Sequence, residues 1–263
     1  MKPCSCTSEF YKYSWEETCS ALAGIGCGHI ELMIGSECPK YILETLNDPD
    51  RAREIRVIAE DSGLSIEAVT IEDGLLVAEQ KLKTDAEDLE PYVNLCLDLG
   101  AKVLCFLKDT KIKRPTKVPE FLCYTMRIGL KQLDKYAKRK EVRIAIGNNP
   151  ELPVTAKDFK TTLLSDNLEQ IGICFDPINF RRANVSINEA VNALSDRIFH
   201  VCFRDLPLKV GESKGCINYC DLVKTLRKIK YDGLVSVRII GASRNLGMDP
   251  MEVYNYLSCL IRD

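Results

Sequence analysis

The sequence predicts an α/β fold, a (β/α)8 TIM barrel, on three observations. Eight short β-type runs alternate with helical patterns along a chain of 263 residues. Helix-start signals recur between those runs, and glycines stand just before several of the next ones. No glycine-rich phosphate loop follows the first run, which weighs against the alternative, a doubly wound open sheet.

The strand candidates, in chain order, are "KPCSC", "GHIELM", "SIEAVT", "AKVLCFL", "VRIAIG", "IGICFD", "IFHVCF" and "LVSVRI". Between them, apolar residues follow helical spacing. Leu89, Val93, Cys96 and Leu97 form one stripe, Met126, Leu130, Leu133 and Ala137 a second, and Val253, Leu257, Leu260 and Ile261 a third. "SWEE" at Ser14, "TDAE" at Thr84, "TAKD" at Thr155 and "SINE" at Ser186 resemble capping boxes, and "DPME" at Asp249 places proline at a first helical position. Gly26 or Gly28, Gly63, Gly100 and Gly233 are expected to close helices in the left-handed conformation. The basic stretch "KDTKIKRPTKVPE", Lys108 to Glu120, reads as a surface loop between strand and helix.

Composition narrows the function classes. The net charge of -2 offers nothing to a nucleic acid or an acidic membrane surface. No apolar run approaches the roughly 20 residues of a membrane span, and "MKPCSCTSEF" is no secretory signal. A cytoplasmic location is expected. The 13 cysteines are odd in number and sit largely in apolar runs, which favours reduced, buried thiols over a disulfide framework.

In this fold chemistry belongs at the C-terminal ends of the strands. Those ends offer Cys6 with Phe10 and Tyr11 behind it, then Glu31 and Met33, then Thr70, Glu72 and Asp73. They continue with Cys105 and Lys108, Gly147 with Asn148 and Asn149, Asp176 and Asn179, Cys202 with Arg204 and Asp205, and Arg238. The two-residue period of a strand puts Asp176 on a face with Cys174 and Gly172. By the same rule Cys202 joins His200 and Arg204, Arg238 joins Ser236, and Gly147 joins Ala145. An interior lined by these faces is small and partly polar.

The ordered set "SWEETCSALAGIGCGHIEL", "LGAKVLCFL", "VRIAIGNNP", "IGICFDP", "IFHVCFRD" and "YDGLVSVRI" resembles the xylose isomerase-like TIM barrels, the superfamily of sugar-phosphate isomerases and epimerases and of endonuclease-like proteins. The resemblance spans nearly the whole chain and implies a single domain over residues 1–263. It also implies a divalent metal held by a strand-five glutamate, a strand-six aspartate, a strand-seven histidine and a strand-eight glutamate, the glutamates doubling as a proton-moving pair. At those positions stand Gly147, Asp176, Cys202 and Arg238. A hard cation needs several oxygen ligands, and a guanidinium repels it. The expectation is therefore no cofactor and no metal here; were one bound, it would be Mn or Mg through Asp176.

Arg238 is expected to take the ion's electrostatic place, with Asp176 as its nearest partner and Glu31 and Asp205 behind. Such a pair either binds a ligand oxyanion or plugs a disused site. Losing a side chain at Gly147 is expected to open room beside Asp176. Catalytic candidates are Asp176, Glu31, Arg238 and Cys202; ligand-binding candidates are Phe10, Tyr11, Asn148, Asn149, Asn179, Arg204 and Lys214, the last in "KVGESKG".

Plainer readings stand beside these. Cys202 and Cys174 are inert buried thiols unless an arginine activates one. Cys216 and Cys220, with Cys4 and Cys6, were they zinc ligands, would want a second close pair that the region lacks. His29 and His200 read as satisfied interior histidines rather than bases, and two histidines are too few for a multi-metal endonuclease site. Three functions remain open: a sugar isomerase/epimerase-like protein that binds a small polar or anionic ligand without metal, an inactive binding or partner subunit, and an intact metal-dependent isomerase. The partner expected is a sugar or sugar-derived acid, with no nucleic acid and no membrane, and a homodimer stays open.

Overall fold

The computed structural model describes residues 1–35, 38–72, 89–107, 120–148, 156–163, 168–204, 217–238 and 249–262. Eight strands close a parallel barrel in sequential order: β1 (Lys2–Cys6), β2 (His29–Ile34), β3 (Ser65–Glu72), β4 (Val103–Leu107), β5 (Arg143–Gly147), β6 (Ile171–Phe175), β7 (Ile198–Arg204) and β8 (Leu234–Arg238). The ring closes where Lys2 to Ser5 of β1 pair with Leu234 to Val237 of β8. This is a (β/α)8 TIM barrel. Every strand run read from the sequence is a strand, with ends differing by one or two residues.

The helices that wrap it are α1 (Trp15–Gly24), α2 (Lys40–Glu44), α3 (Pro49–Asp61), α4 (Glu90–Leu99), α5 (Glu120–Arg139), α6 (Ala156–Asp158), α7 (Pro177–Arg182), α8 (Ile187–Ala193), α9 (Tyr219–Lys228) and α10 (Pro250–Arg262). The local signals explain their ends. Ser14 and Glu17 form a reciprocal capping box at α1, Ser186 caps α8 and Asp249 receives the Met251 N–H at α10. Thr84 and Thr155 lie outside the described residues. Gly26, Gly63 and Gly100 have positive φ, as a left-handed helix terminus requires. Gly28 and Gly233 do not; after α9 it is Lys230 that turns left-handed, at φ 57°.

Two apolar layers result. The larger lies between strands and helices and includes Trp15, Leu22, Ile55, Val93, Leu133, Phe159, Phe180, Leu226 and Leu257. Leu97, assigned to the α4 stripe from spacing, is exposed, and the buried face of α4 is carried by Val93, Leu95, Cys96 and Leu99. The smaller layer fills the barrel and comprises Cys4, Ala68, Val103, Cys105, Ala145, Cys174, Phe199, Cys202 and Leu234. Small side chains and thiols leave space inside for the polar groups that define the site.

Candidate functional site

The inward face of each strand, read upward, places the polar residues in two tiers. The lower tier is wholly buried. Glu31 of β2 accepts the Thr70 hydroxyl at 2.5 Å. Its second oxygen lies 3.2 Å from His200 Nε2, and that nitrogen also lies 2.9 Å from Ser236 Oγ. Glu31 and His200 are both 0% exposed. Burial pushes the Glu31 carboxyl up, but the His200 charge and hydrogen bond and the Arg238 charge outweigh it and hold the carboxyl at about 2. Burial pulls the His200 imidazolium down, and the facing Glu31 carboxylate more than restores it, so His200 is raised above its ordinary value. The pair is an ionic bridge across the barrel.

The upper tier lies at the strand ends. Arg204 of β7 and Arg238 of β8 stand opposite each other in register. Two adjacent buried guanidinium groups repel unless each has an acid. Arg204 pairs with Asp176, and Arg238 donates from Nη2 to Glu72 Oε1 at 2.9 Å. The expected Arg238–Asp176 pair is therefore corrected. Glu72, at the end of β3, reaches Arg238 across the mouth, and Asp176 is taken by the nearer Arg204. Glu31 does stand behind Arg238, through charge rather than contact. Asp205 lies outside the described residues.

Asp176 is fully used. Its Oδ1 caps α7 by accepting the Ile178 and Asn179 N–H groups, its Oδ2 meets Arg204, and its backbone is bridged on both sides by the Asn148 amide. Asn148 and Asn179 thus set the β5–β6 rim. Gly147 opens no room: a Cβ there would meet Leu107 Cδ2 at 2.6 Å and the Phe106 carbonyl at 3.2 Å. The Leu107 side chain, not a ligand or the Arg238 head, occupies the space expected beside Asp176.

Other sequence candidates disperse. Phe10 is buried in the outer apolar layer, while Tyr11 is exposed. Burial pushes the Cys202 thiol well up, only partly opposed by Arg238, so it is not an activated nucleophile. His29 sits at the opposite end of the barrel, 3.3 Å from Glu67, and is not interior. Cys220 is exposed on α9 and Cys4 and Cys6 are buried in β1, so these do not converge. Asp73, Lys108, Asn149, Lys214, Cys216 and most of "KDTKIKRPTKVPE" lie outside the described residues. Glu72 as the Arg238 partner was not assigned from the sequence; the signal available was its position as a strand-end acid on the face of Thr70.

The four positions implied for a divalent ion do not make a hard-cation site. Gly147 has no donor, Cys202 offers a thiol, Arg238 is cationic, and both Asp176 oxygens are engaged.

A family model described as "Xylose isomerase-like TIM barrel" matches residues 19–255. The chain belongs to that family. Among solved structures it is similar to D-psicose 3-epimerase determined in the presence of D-fructose, at TM-score 0.74 and 15% identity, covering 98% of each chain. It is similar to L-ribulose 3-epimerase at TM-score 0.75 and 15% identity, covering 100% of this chain and 95% of the other. It is also similar to the 3-keto-D-glucoside 4-epimerase YcjR from E. coli at TM-score 0.72 and 15% identity, covering 100% and 99%. No curated protein matches. At this identity the solved structures establish a sugar isomerase/epimerase-like fold. Among the described residues, no helix is long and apolar enough to cross a membrane.

Proposed function

We propose that this chain binds a small polar or anionic carbohydrate-type ligand at the C-terminal mouth of the barrel, without the divalent ion its family would use. The observation that carries this reading is Arg238. It is 6% exposed at a strand end, donates to Glu72 through Nη2, and keeps a buried Nε–H with no partner among the described residues. A guanidinium has five N–H donors, so a carboxylate, phosphate or enolate oxygen of a sugar derivative can be held there while Glu72 is retained. The epimerases it resembles act on sugars, which supports this ligand class.

If turnover occurs, Arg238 stabilises negative charge developing on the ligand oxygen, with Glu72 in contact with it and Glu31 and Asp176 as the buried carboxylates of the interior. A second reading, a barrel that binds without turnover, is favoured by one observation. Among the described residues the inward carboxylates of the two tiers, Glu31, Glu72 and Asp176, are each already paired. A carboxylate already held by a cation is a weak proton acceptor.

Calorimetric titration with ketohexoses, ketopentoses, their phosphates and aldonic acids tests the binding. Affinity for one class, lost in Arg238→Met and unchanged by added Mn²⁺ or Mg²⁺, is the expected result; an absolute requirement for either ion would overturn the metal-free reading. NMR of the bound class in D2O then separates the two alternatives. Deuterium entering beside the carbonyl marks proton transfer, and none marks a binding barrel.

A further inference from the structure

The barrel interior contains a second cluster, below the arginine tier, that neither the ion pairs nor the mouth explains. Cys105 of β4, Cys174 of β6 and His200 of β7 each present a donor atom, all lying within 4.8 Å of one another. Cys174 and His200 are register partners on neighbouring strands, and all three residues are 0% exposed. His200 uses Nε2 for Glu31 and Ser236, and its Nδ1 is buried with no hydrogen-bond partner among the described residues. An orphaned buried nitrogen is costly and calls for an explanation.

We propose that Cys105, Cys174 and His200 Nδ1 form a buried binding site for zinc, a soft d10 cation. The donor set decides the class of ion. Two thiolates and an imidazole suit Zn²⁺ or Cu⁺ and not Mg²⁺ or Mn²⁺. Charge selects between the two: two thiolates neutralise Zn²⁺, whereas Cu⁺ leaves an extra negative charge next to Glu31 among wholly buried side chains. Donors bound to one zinc at about 2.3 Å lie no more than about 4.6 Å apart, so a small rotation of the cysteine side chains brings the three into range. The outer shell is already in place. Glu31 accepts the Nε2–H of His200, which fixes the ring and leaves the Nδ1 proton as the one an entering ion displaces, and Thr70 in turn holds Glu31. Binding replaces two S–H bonds by two Zn–S bonds and the imidazolium Nδ1–H bond by a Zn–N bond, and releases the three protons to solvent.

The site differs from the strand-end position considered above. His200 lies two residues deeper than Cys202, and Asp176 and Arg238 contribute no ligand. Because the ligands come from three strands of a closed ring, the ion is loaded as the barrel closes.

The full chain is unfolded and refolded under reducing conditions with Zn²⁺ or Co²⁺, passed through gel filtration, and its metal content and absorption spectrum are measured. One retained ion per chain, a thiolate-to-cobalt charge-transfer band in the near ultraviolet and a higher melting temperature in Zn²⁺ are expected. Cys105→Ala, Cys174→Ala and His200→Ala should each lose the band, while Cys220→Ala and Cys96→Ala keep it. A correctly refolded wild-type chain with no retained ion and no band overturns the site without recourse to any variant. So does a band that survives Cys105→Ala and Cys174→Ala together, or one that disappears in Cys220→Ala.

Discussion

At the scale of single residues, the mouth is governed by two arginines that face each other in register and by which acid each one finds. Arg204 and Asp176 have side chains 9% and 5% exposed. Removing one partner from a buried pair costs about 3–5 kcal/mol, because the other charge is left unpaired in a medium that solvates it poorly. Arg204→Met should therefore lower the urea midpoint strongly. Arg204→Met with Asp176→Asn should recover much of the loss, since asparagine still caps α7 as well as aspartate does. Urea titrations of the single and double variants check this; equal losses in both would mean that the pair contributes little beyond the cap. The sequence displayed all four charged residues but not their pairing. Sequence position orders strands around a ring, and a long guanidinium at the mouth reaches across the ring, from β8 to β3 in the case of Arg238 and Glu72.

At the scale of elements, the position that the family resemblance marks as a missing carboxylate is a packing contact between β4 and β5. Gly147 pairs with Cys174 on one side, and on the other the Leu107 side chain folds over it. A methyl group at 147 meets Leu107 and also the Phe106 carbonyl, which belongs to the strand backbone and cannot turn away. Gly147→Ala should cost about 1–3 kcal/mol by overpacking. Combining it with Leu107→Ala should cost less than the sum of the two single changes, a coupling read from thermal or urea unfolding. Strict additivity would show that Leu107 is not what fills the space. The element also explains which expectations came true. Period-two alternation gave the inward faces read for β5, β6, β8 and the upper part of β7, where a side chain's face follows its own backbone; at the register shift lower on β7 it fails, and Phe199 joins the interior beside His200. What occupied the space in front of a given face depended on the neighbouring strand, and no spacing within "VRIAIG" carried that information.

At the scale of the whole molecule, closure is what made the fold legible and the site only partly so. Eight apolar runs separated by capped helices have one economical arrangement at this length, and the barrel is it. Closure then brings β2 and β7 face to face across the interior, so that Glu31 and His200, 169 residues apart, become a single buried bridge. Closure also binds the two ends of the chain into one ladder, since Lys2 to Ser5 pair with β8. A barrel that loses either strand exposes two new edges at once. The chain is therefore expected to unfold as one cooperative unit over residues 1–263. Trp15, its one tryptophan, provides a local probe: it is buried against α3 with its indole N–H on the Ile55 carbonyl at 2.8 Å. Far-ultraviolet circular dichroism reports all the helices together. In urea the two signals should fall at the same midpoint with the same slope, because the part of the barrel around Trp15 has no edge at which to separate. A fluorescence transition clearly before the dichroism transition would instead show that the first βα units open while β4 to β8 hold, and the β1–β8 ladder would then be a seam rather than a lock.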